Sequence, residues 1–221
     1  MPIIESADGS HTILSDIYNV TYHSKHGAIT ETEHVFIGMG LHWKALEKNE
    51  ISVLEVGFGT GLNAFMSWLE AERRGWKLDY QSLEAHPITV EEAADLNYPK
   101  MLDAPTRSSD FMRLHKAAWD QPLELSTHFT LEKKLVRLQD FLPDRTYDVI
   151  FFDAFAPQAQ PELWEEAIFA QLAQAMNPGG GLVTYCAQGE FRRRLRRAGF
   201  TTERLPGPPG KREMTRGVLG H

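Results

Sequence analysis

Beyond residue 50 the chain alternates between short apolar runs and stretches whose apolar positions recur every three or four residues. Ile51 to Val56 predicts a buried strand, and Leu62, Phe65, Met66 and Leu69 put one apolar face on a helix from Leu62 to Arg74. Leu78 to Leu83 is the next predicted strand. Pro87 suits the first turn of a helix running to about Leu96, and Pro99 bars a longer one. A helix near Ser108 to Trp119 precedes short strands at Phe129 to Leu131 and Leu135 to Leu138. Tyr147 to Phe152, with four apolar residues in succession from Val149, suits the centre of a parallel sheet. A helix over Glu162 to Met176 should end at Asn177-Pro178-Gly179-Gly180, before a strand at Leu182 to Cys186 and a helix at Phe191 to Ala198. Phe200 to Leu205 and Met214 to Leu219 then pair as a terminal antiparallel hairpin across the loop at Pro206 to Gly210.

Such alternation predicts an α/β fold with a doubly wound, Rossmann-like sheet, in which ligands sit at the carboxyl ends of the strands. The 221 residues suit one compact unit, with residues 1–45 as an N-terminal extension on the substrate side and residues 46–221 as the Rossmann-like domain. One cysteine, Cys186, excludes an internal disulfide framework and a cysteine-rich zinc site; a small buried residue is expected there. The start, Met-Pro-Ile-Ile-Glu-Ser, lacks the pattern of a secretory leader, and no apolar stretch nears the roughly 20 residues that cross a bilayer. A soluble cytoplasmic protein without membrane contact is the expectation.

The most specific segment is Val53-Leu-Glu-Val-Gly-Phe-Gly-Thr-Gly-Leu-Asn63, a strand, a glycine turn and a helix start. Glycine lets a backbone take positive φ and approach a ligand, and a helix start offers free N–H groups. A dinucleotide fingerprint from Gly57 would need a small residue where Leu62 stands. With Glu55 ahead, the spacing is Glu-x-Gly-x-Gly-x-Gly, which resembles the first motif of class I S-adenosylmethionine methyltransferases. The alternative is a bare left-handed turn between strand and helix.

Acids at strand ends come next. Glu84 follows the second strand where a carboxylate meets ribose hydroxyls in such sheets, or else it is a solvated loop acid. Asp140, before Phe141, could accept from an adenine amino group or serve only its loop. Asp153 ends the most apolar strand and opens Asp-Ala-Phe-Ala-Pro157, a corner where a carboxylate could orient and deprotonate an acceptor amine while Phe155 stacks on a base. A capping role is the alternative. The net charge of −7 opposes a dedicated nucleic-acid binder, yet residues 190–221 hold nine Lys and Arg against three acids, a local +6. Arg192, Arg193, Arg194, Arg196 and Arg197 either meet phosphates or form a solvated helix face. The early histidines His11, His23, His26, His34 and His42 show no metal-ligand spacing, so no metal is expected.

Together, Val53 to Asn63, Phe152-Asp-Ala-Phe-Ala-Pro157 with Pro161-Glu-Leu-Trp164, and Gly207-Pro-Pro-Gly-Lys-Arg-Glu-Met214 resemble the methyltransferase domain of the MnmC family of bacterial tRNA wobble-uridine modification enzymes. Tyr22-His-Ser-Lys-His-Gly-Ala28 and His34-Val-Phe-Ile37 extend the likeness to nearly the whole chain. The resemblance implies a class I S-adenosylmethionine-dependent N-methyltransferase acting on the exocyclic amine of 5-aminomethyl-(2-thio)uridine in tRNA. It implies that Glu55, Gly57, Phe58, Gly59, Gly61 and Asn63 line the methionyl end of the cofactor, that Glu84 binds ribose and Asp140 adenine, and that Asp153 also borders the cofactor. Asp153 would orient and deprotonate the amine, with Phe155 and Pro157 shaping the base pocket. Lys211, Arg212 and the arginine helix, with Arg192, Arg193, Arg196 and Arg197, would meet tRNA phosphates. The family's fused form carries a flavin oxidase domain that unmasks the amine; no such domain is read here, so a separate enzyme is expected to supply the aminomethyl intermediate. Two alternatives stand beside this, an aminopropyltransferase-like enzyme and a non-catalytic RNA-binding adaptor of the same fold.

Overall fold

The computed structural model describes residues 1–220. Its main sheet has eight strands, and the chain builds it outward from the strand that carries the glycine turn. The N-terminal segment comes first, with β1 (Ile3–Glu5) antiparallel to β2 (His11–Ile13) in a small separate sheet. Next a helical rod runs from α1 (Ala28–Thr32) through a π-helical stretch, Glu33–His42, into α2 (Trp43–Ala45). The order then continues β3 (Glu50–Val56), α3 (Leu62–Arg74), β4 (Lys77–Glu84), α4 (Val90–Ala94), α5 (Tyr98–Met101) and α6 (Ser108–Lys116). It closes with β5 (Pro122–Ser126), β6 (Phe129–Leu135), β7 (Tyr147–Phe152), α7 (Glu166–Gln174), β8 (Met176–Thr184), α8 (Gly189–Arg197), β9 (Phe200–Pro206) and β10 (Glu213–Leu219).

In space the strands lie β5-β6-β4-β3-β7-β8-β10-β9, parallel from β6 to β8 and antiparallel at both margins. This is the doubly wound sheet with a terminal hairpin. From β3 the chain proceeds to one side through β4 and later crosses to the other through β7, so the switch point lies between β3 and β7. A crevice is expected there, outside the strand carboxyl ends. Side chains on β3 and β7 alternate between two cores: Val53, Val149 and Phe151 face the rod, α3 and α6, while Leu54, Val56, Ile150 and Phe152 face α7 and α8. That two-sided burial explains why β7 is apolar without a break from Val149 to Phe152.

Glycines let the rod lie against the sheet. A Cβ at Gly181 would stand 2.3 Å from the Trp43 ring, and one at Gly40 2.9 Å from Val183. Several predicted boundaries move for physical reasons. The helix expected from Pro87 starts at Val90, because Thr89 and Glu92 form a capping box, and Pro99 lies inside the short α5. Phe129–Leu135 is a single strand, and Leu138 belongs to a 3-10 turn, Leu138–Asp140, in which it alone is buried. Asn177 to Gly180 is not a loop but the start of β8, where the register with β7 shifts. Strand β5 has no counterpart among the predicted elements; its first three residues are exposed, which leaves no alternation to read.

The turn after β3 is held from every side. Gly57, Gly59 and Gly61 have φ of +93°, +50° and +73°, conformations that favour glycine. Gly57 N–H and Phe58 N–H donate to Leu83 O on β4, at 2.9 and 3.1 Å. From the other side three elements grip Thr60: His23 Nε2 lies 2.7 Å from its Oγ1, Tyr98 OH donates to the same oxygen at 3.1 Å, and His115 Nε2 lies 3.2 Å from its carbonyl oxygen. Burial pushes both imidazoles down to about 4, helped at His115 by the Lys133 ammonium and at His23 by Lys211. Both rings are therefore neutral in the fold at pH 7.

A base with a depressed folded-state pKa contributes stability that is fully present above its unfolded value near 6.5 and is lost as pH falls toward 4. The stability margin of wild type over His115→Gln should therefore shrink by about 2 kcal/mol between pH 7.5 and pH 5. Urea unfolding of both proteins at the two pH values measures it, and a constant margin would show that His115 is not held neutral.

Candidate active site

A cavity of about 310 Å³ opens over the carboxyl ends of β3, β4 and β7. Its floor is the glycine turn, with Gly57, Phe58, Gly59, Thr60 and Asn63; Glu84 and His86 border one end, Val136 to Gln139 another, and Asp153 to Phe155 the far wall. The N-terminal segment forms the roof through Ser15, Ile17, Tyr18, Tyr22 and His23.

Each acid has its own state. Glu84 orders the turn, accepting from Gly59 N–H at 2.9 Å through one oxygen and from His86 N–H at 2.8 Å through the other, while still bordering the cavity. Glu55 is fully buried behind the turn and does not line the cavity. Ser82 Oγ donates to it at 2.5 Å, and its Oε1 has no hydrogen-bond partner. Burial pushes its carboxyl well above the ordinary range, with Asp153 adding to the shift. It ties β3 to β4 from beneath and stands behind the turn, where it was expected beside the methionyl group of the cofactor. Gly61 likewise stands behind the wall, where a Cβ would meet His115 Nε2 at 2.9 Å.

Asp153, at the end of β7, lines the cavity and accepts from Asn63 Nδ2 at 2.8 Å. Asn63 Oδ1 in turn accepts from Thr32 Oγ1 at 2.9 Å, which fixes the amide's orientation. Burial and the Glu31 carboxylate push Asp153 up to about 7, against the Asn63 hydrogen bond and the Lys211 ammonium. A carboxyl group so placed can take or give a proton near neutrality. Phe155 lines the same cavity and packs against Tyr18 and Tyr22, with ring centroids 4.7 and 5.1 Å away. Trp164 fixes this corner, donating Nε1–H to Phe155 O at 2.8 Å and packing edge-on against Phe152 and Phe191. Pro157 lies apart, in a second recess with Tyr185, Cys186, Lys211 and Arg212.

Other predicted residues are elsewhere. Asp140 does not line the cavity; its side chain is 53 % exposed and accepts from Arg137 Nε at 2.7 Å, while Leu138 and Gln139 beside it face the cavity. A 3-10 turn after β6 rotates it outward. Arg192 is buried and donates to Thr215 Oγ1 and Glu213 Oε2, so it pins α8 to β10 rather than facing solvent. Arg193 pairs with Glu190 and Arg197 with Glu166 and Glu190, which favours the solvated-face reading for both; Arg196 donates to Thr202. Lys211 is held by Glu31. Among the described residues no group of three or more His, Cys, Asp or Glu side chains could hold a metal, and no helix is long and apolar enough to cross a membrane.

The roof residues Tyr18, Tyr22 and His23, together with Thr60, Glu31 and His115, acquire site roles that sequence patterns did not assign. Thr60 lies inside the glycine turn, and the others lie on irregular segments or inside helices with no spacing that marks them. The nearest signal was Tyr22-His23 within the quoted N-terminal likeness.

The donor set fits a ligand with a vicinal diol, a flat ring and a polar chain: a carboxylate at the end of β4, apolar Leu83, Val136 and Leu138, and the exposed backbone of a glycine turn at a helix start. Comparison with known proteins names that ligand. The profile of a family described as S-adenosyl-L-methionine-dependent methyltransferase matches residues 94–220, more than half of the chain. The tRNA 5-methylaminomethyl-2-thiouridine biosynthesis bifunctional protein MnmC of Azoarcus sp. (strain BH72) is 35% identical over 223 residues, covering 93% of this chain and 34% of that protein. Its counterpart from Aromatoleum aromaticum is 33% identical over 220 residues, with 93% and 34% covered. The chain therefore spans about a third of the length of these relatives. Among solved structures, MNMC2 from Aquifex aeolicus superposes with a TM-score of 0.77 at 24% identity, covering 98% of this chain and 70% of that one, which establishes the shared fold. Neither the aminopropyltransferase nor the adaptor alternative is favoured by these likenesses. On this evidence the chain belongs to the S-adenosyl-L-methionine-dependent methyltransferase family, with the fold of its class I members.

Proposed function

We propose that this methyltransferase transfers the methyl group to the exocyclic amine of a 5-aminomethyluridine, with or without 2-thiolation, at the wobble position of tRNA. The relatives' names supply the substrate, and the observation that carries the chemistry is Asp153, lining the cavity at the end of β7 and held there by Asn63. When bound, S-adenosyl-L-methionine supplies an electrophilic methyl on a sulfonium sulfur. Gly57, Phe58, Gly59 and Asn63 would border its methionyl end, Glu84 its ribose, and Leu138 and Gln139 its ring in place of Asp140. Asp153 accepts a proton from the acceptor ammonium and keeps the nitrogen lone pair directed at the methyl. Phe155, Tyr18 and Tyr22 offer aromatic faces to the base and exclude water. Residues 1–45 thus act as a substrate-side extension of the domain formed by residues 46–221. A tRNA substrate implies a cytoplasmic setting.

Incubation with S-adenosyl-L-methionine and tRNA bearing 5-aminomethyluridine, followed by nucleoside mass spectrometry, should show the 5-methylaminomethyl product; its absence alongside activity on a small amine would overturn the tRNA assignment. Asp153→Asn should lose about 100-fold or more in turnover while binding the cofactor almost as well by calorimetry. Because the ionised carboxylate is the active form, the wild-type rate should rise as pH increases through about 7, and that limb should vanish in the variant. An unchanged rate or profile would remove Asp153 from the mechanism.

For tRNA phosphates we retain exposed Arg212, beside the second recess, and Arg196. Arg212→Ala should reduce the slope of log binding constant against log salt by about 1. Arg193→Ala, whose guanidinium already has Glu190, should leave the slope nearly unchanged. The reverse pattern would put Arg193 at the interface in place of Arg212.

A further inference from the structure

The corner from Asp153 to Pro157 has two sides. One faces the cofactor cavity, and the other faces the recess where Pro157, Tyr185 and Lys211 meet. Lys211 belongs to the loop between β9 and β10, which closes on itself as Lys211 N–H donates to Pro208 O at 2.9 Å and Gly207 N–H to Arg212 O at 3.2 Å. Its ammonium stands 3.9 Å from the centroid of the Tyr185 ring and donates to Glu31 Oε1. Glu31 lies on α1 with its side chain only 8% exposed, and its other oxygen accepts from Ser24 N–H at 3.1 Å. Tyr185 is anchored through its hydroxyl to Ala154 O at 2.8 Å, one residue past Asp153.

Three distant parts of the chain thus build a cation site on the recess side of the corner that carries Asp153, made of a carboxylate nearly out of water and an aromatic face. The chain's own lysine fills it. A buried carboxylate left alone would be costly, so a resident cation satisfies Glu31. Glu31 is fixed within a helix, whereas Lys211 is 30% exposed on a flexible four-carbon stem and can swing out. The acceptor in the proposed function is an alkylammonium ion at neutral pH, with the same head group as a lysine side chain.

We propose that Glu31 and the Tyr185 ring are the binding site for the ammonium group of the aminomethyl acceptor, and that Lys211 occupies this site in the free enzyme and leaves it when the acceptor arrives. This rests on the function proposed above. The ammonium held by Glu31 passes one proton to the Asp153 carboxylate. The freed nitrogen lone pair then forms the new N–C bond as the S–CH3 bond breaks and its electron pair stays on sulfur. The product leaves as a secondary ammonium, and Asp153 returns its proton to water. Glu31 and Lys211 both act on Asp153 already, the carboxylate raising and the ammonium lowering its proton affinity, which places the cation site within electrostatic reach of the proposed base.

The test compares two tRNAs, one with 5-aminomethyluridine and one with uridine at the wobble position, bound in the presence of S-adenosylhomocysteine so that no transfer occurs. The ratio of their dissociation constants reads the ammonium site and cancels phosphate contacts. Wild type should prefer the aminomethyl tRNA by about tenfold. Glu31→Gln should bring the ratio close to one while leaving the affinities for uridine tRNA and for S-adenosylhomocysteine unchanged, which also shows that it is folded. Lys211→Met, free of the competing ammonium, should raise the ratio above wild type. A ratio unaffected by Glu31→Gln, or lowered by Lys211→Met, would overturn the inference even where wild type methylates tRNA normally. Failure of wild type both to methylate and to discriminate would instead overturn the proposed function and this inference with it.

Discussion

The structure depends on the conformation of five residues, Gly57 to Gly61, at the end of β3. Three positive φ angles in that stretch have no repeating hydrogen-bond pattern to stabilise them, so the surroundings must specify them. They do so from opposite sides. Strand β4 supplies Leu83 O beneath and the Glu84 carboxylate beside the turn, while His23, Tyr98 and His115 converge on Thr60. Those three come from the N-terminal segment, α5 and the end of α6, so the turn joins three separate parts of the chain. Two neutral buried imidazoles meet Thr60 at this junction through their Nε2 atoms, and the turn cannot be shaped independently of the segment that roofs it.

The same junction explains why four acids near the sheet's upper edge behave so differently. Glu55, beneath the turn, is pushed towards its neutral form by complete burial. Glu84 has both oxygens occupied by backbone N–H groups and holds the loop. Asp140 faces solvent with an arginine, outside the cavity. Asp153 alone combines an opening to the cavity, a fixed donor in Asn63 and opposing charges in Glu31 and Lys211. Amino-acid type is the same or nearly so in all four; depth and neighbours separate them.

Much of this fold was legible as pattern. The β3, α3, β7 and hairpin segments stand close to where periodicity placed them, because a strand buried on both faces and a helix with one apolar stripe leave strong signals. Legibility failed where local rules competed. Thr89 with Glu92 outweighed Pro87 as a helix start, glycines at 180 and 181 served close packing on a strand rather than a loop, and β5 lay too exposed to alternate.

The glycine turn, Glu84, Asn63 and Asp153 were readable as candidates from local pattern, and they line one cavity, because they are bound to strand ends and helix starts. Which arginines are exposed, that Asp140 turns away, that Glu55 is sealed beneath the turn, and that Glu31 meets Lys211 across 180 residues of chain all follow from the assembled fold. The difference is one of range. Backbone conformation and apolar periodicity are encoded over a few neighbouring residues, whereas the burial and partner of a charged side chain depend on segments that only the completed fold brings within a few ångströms.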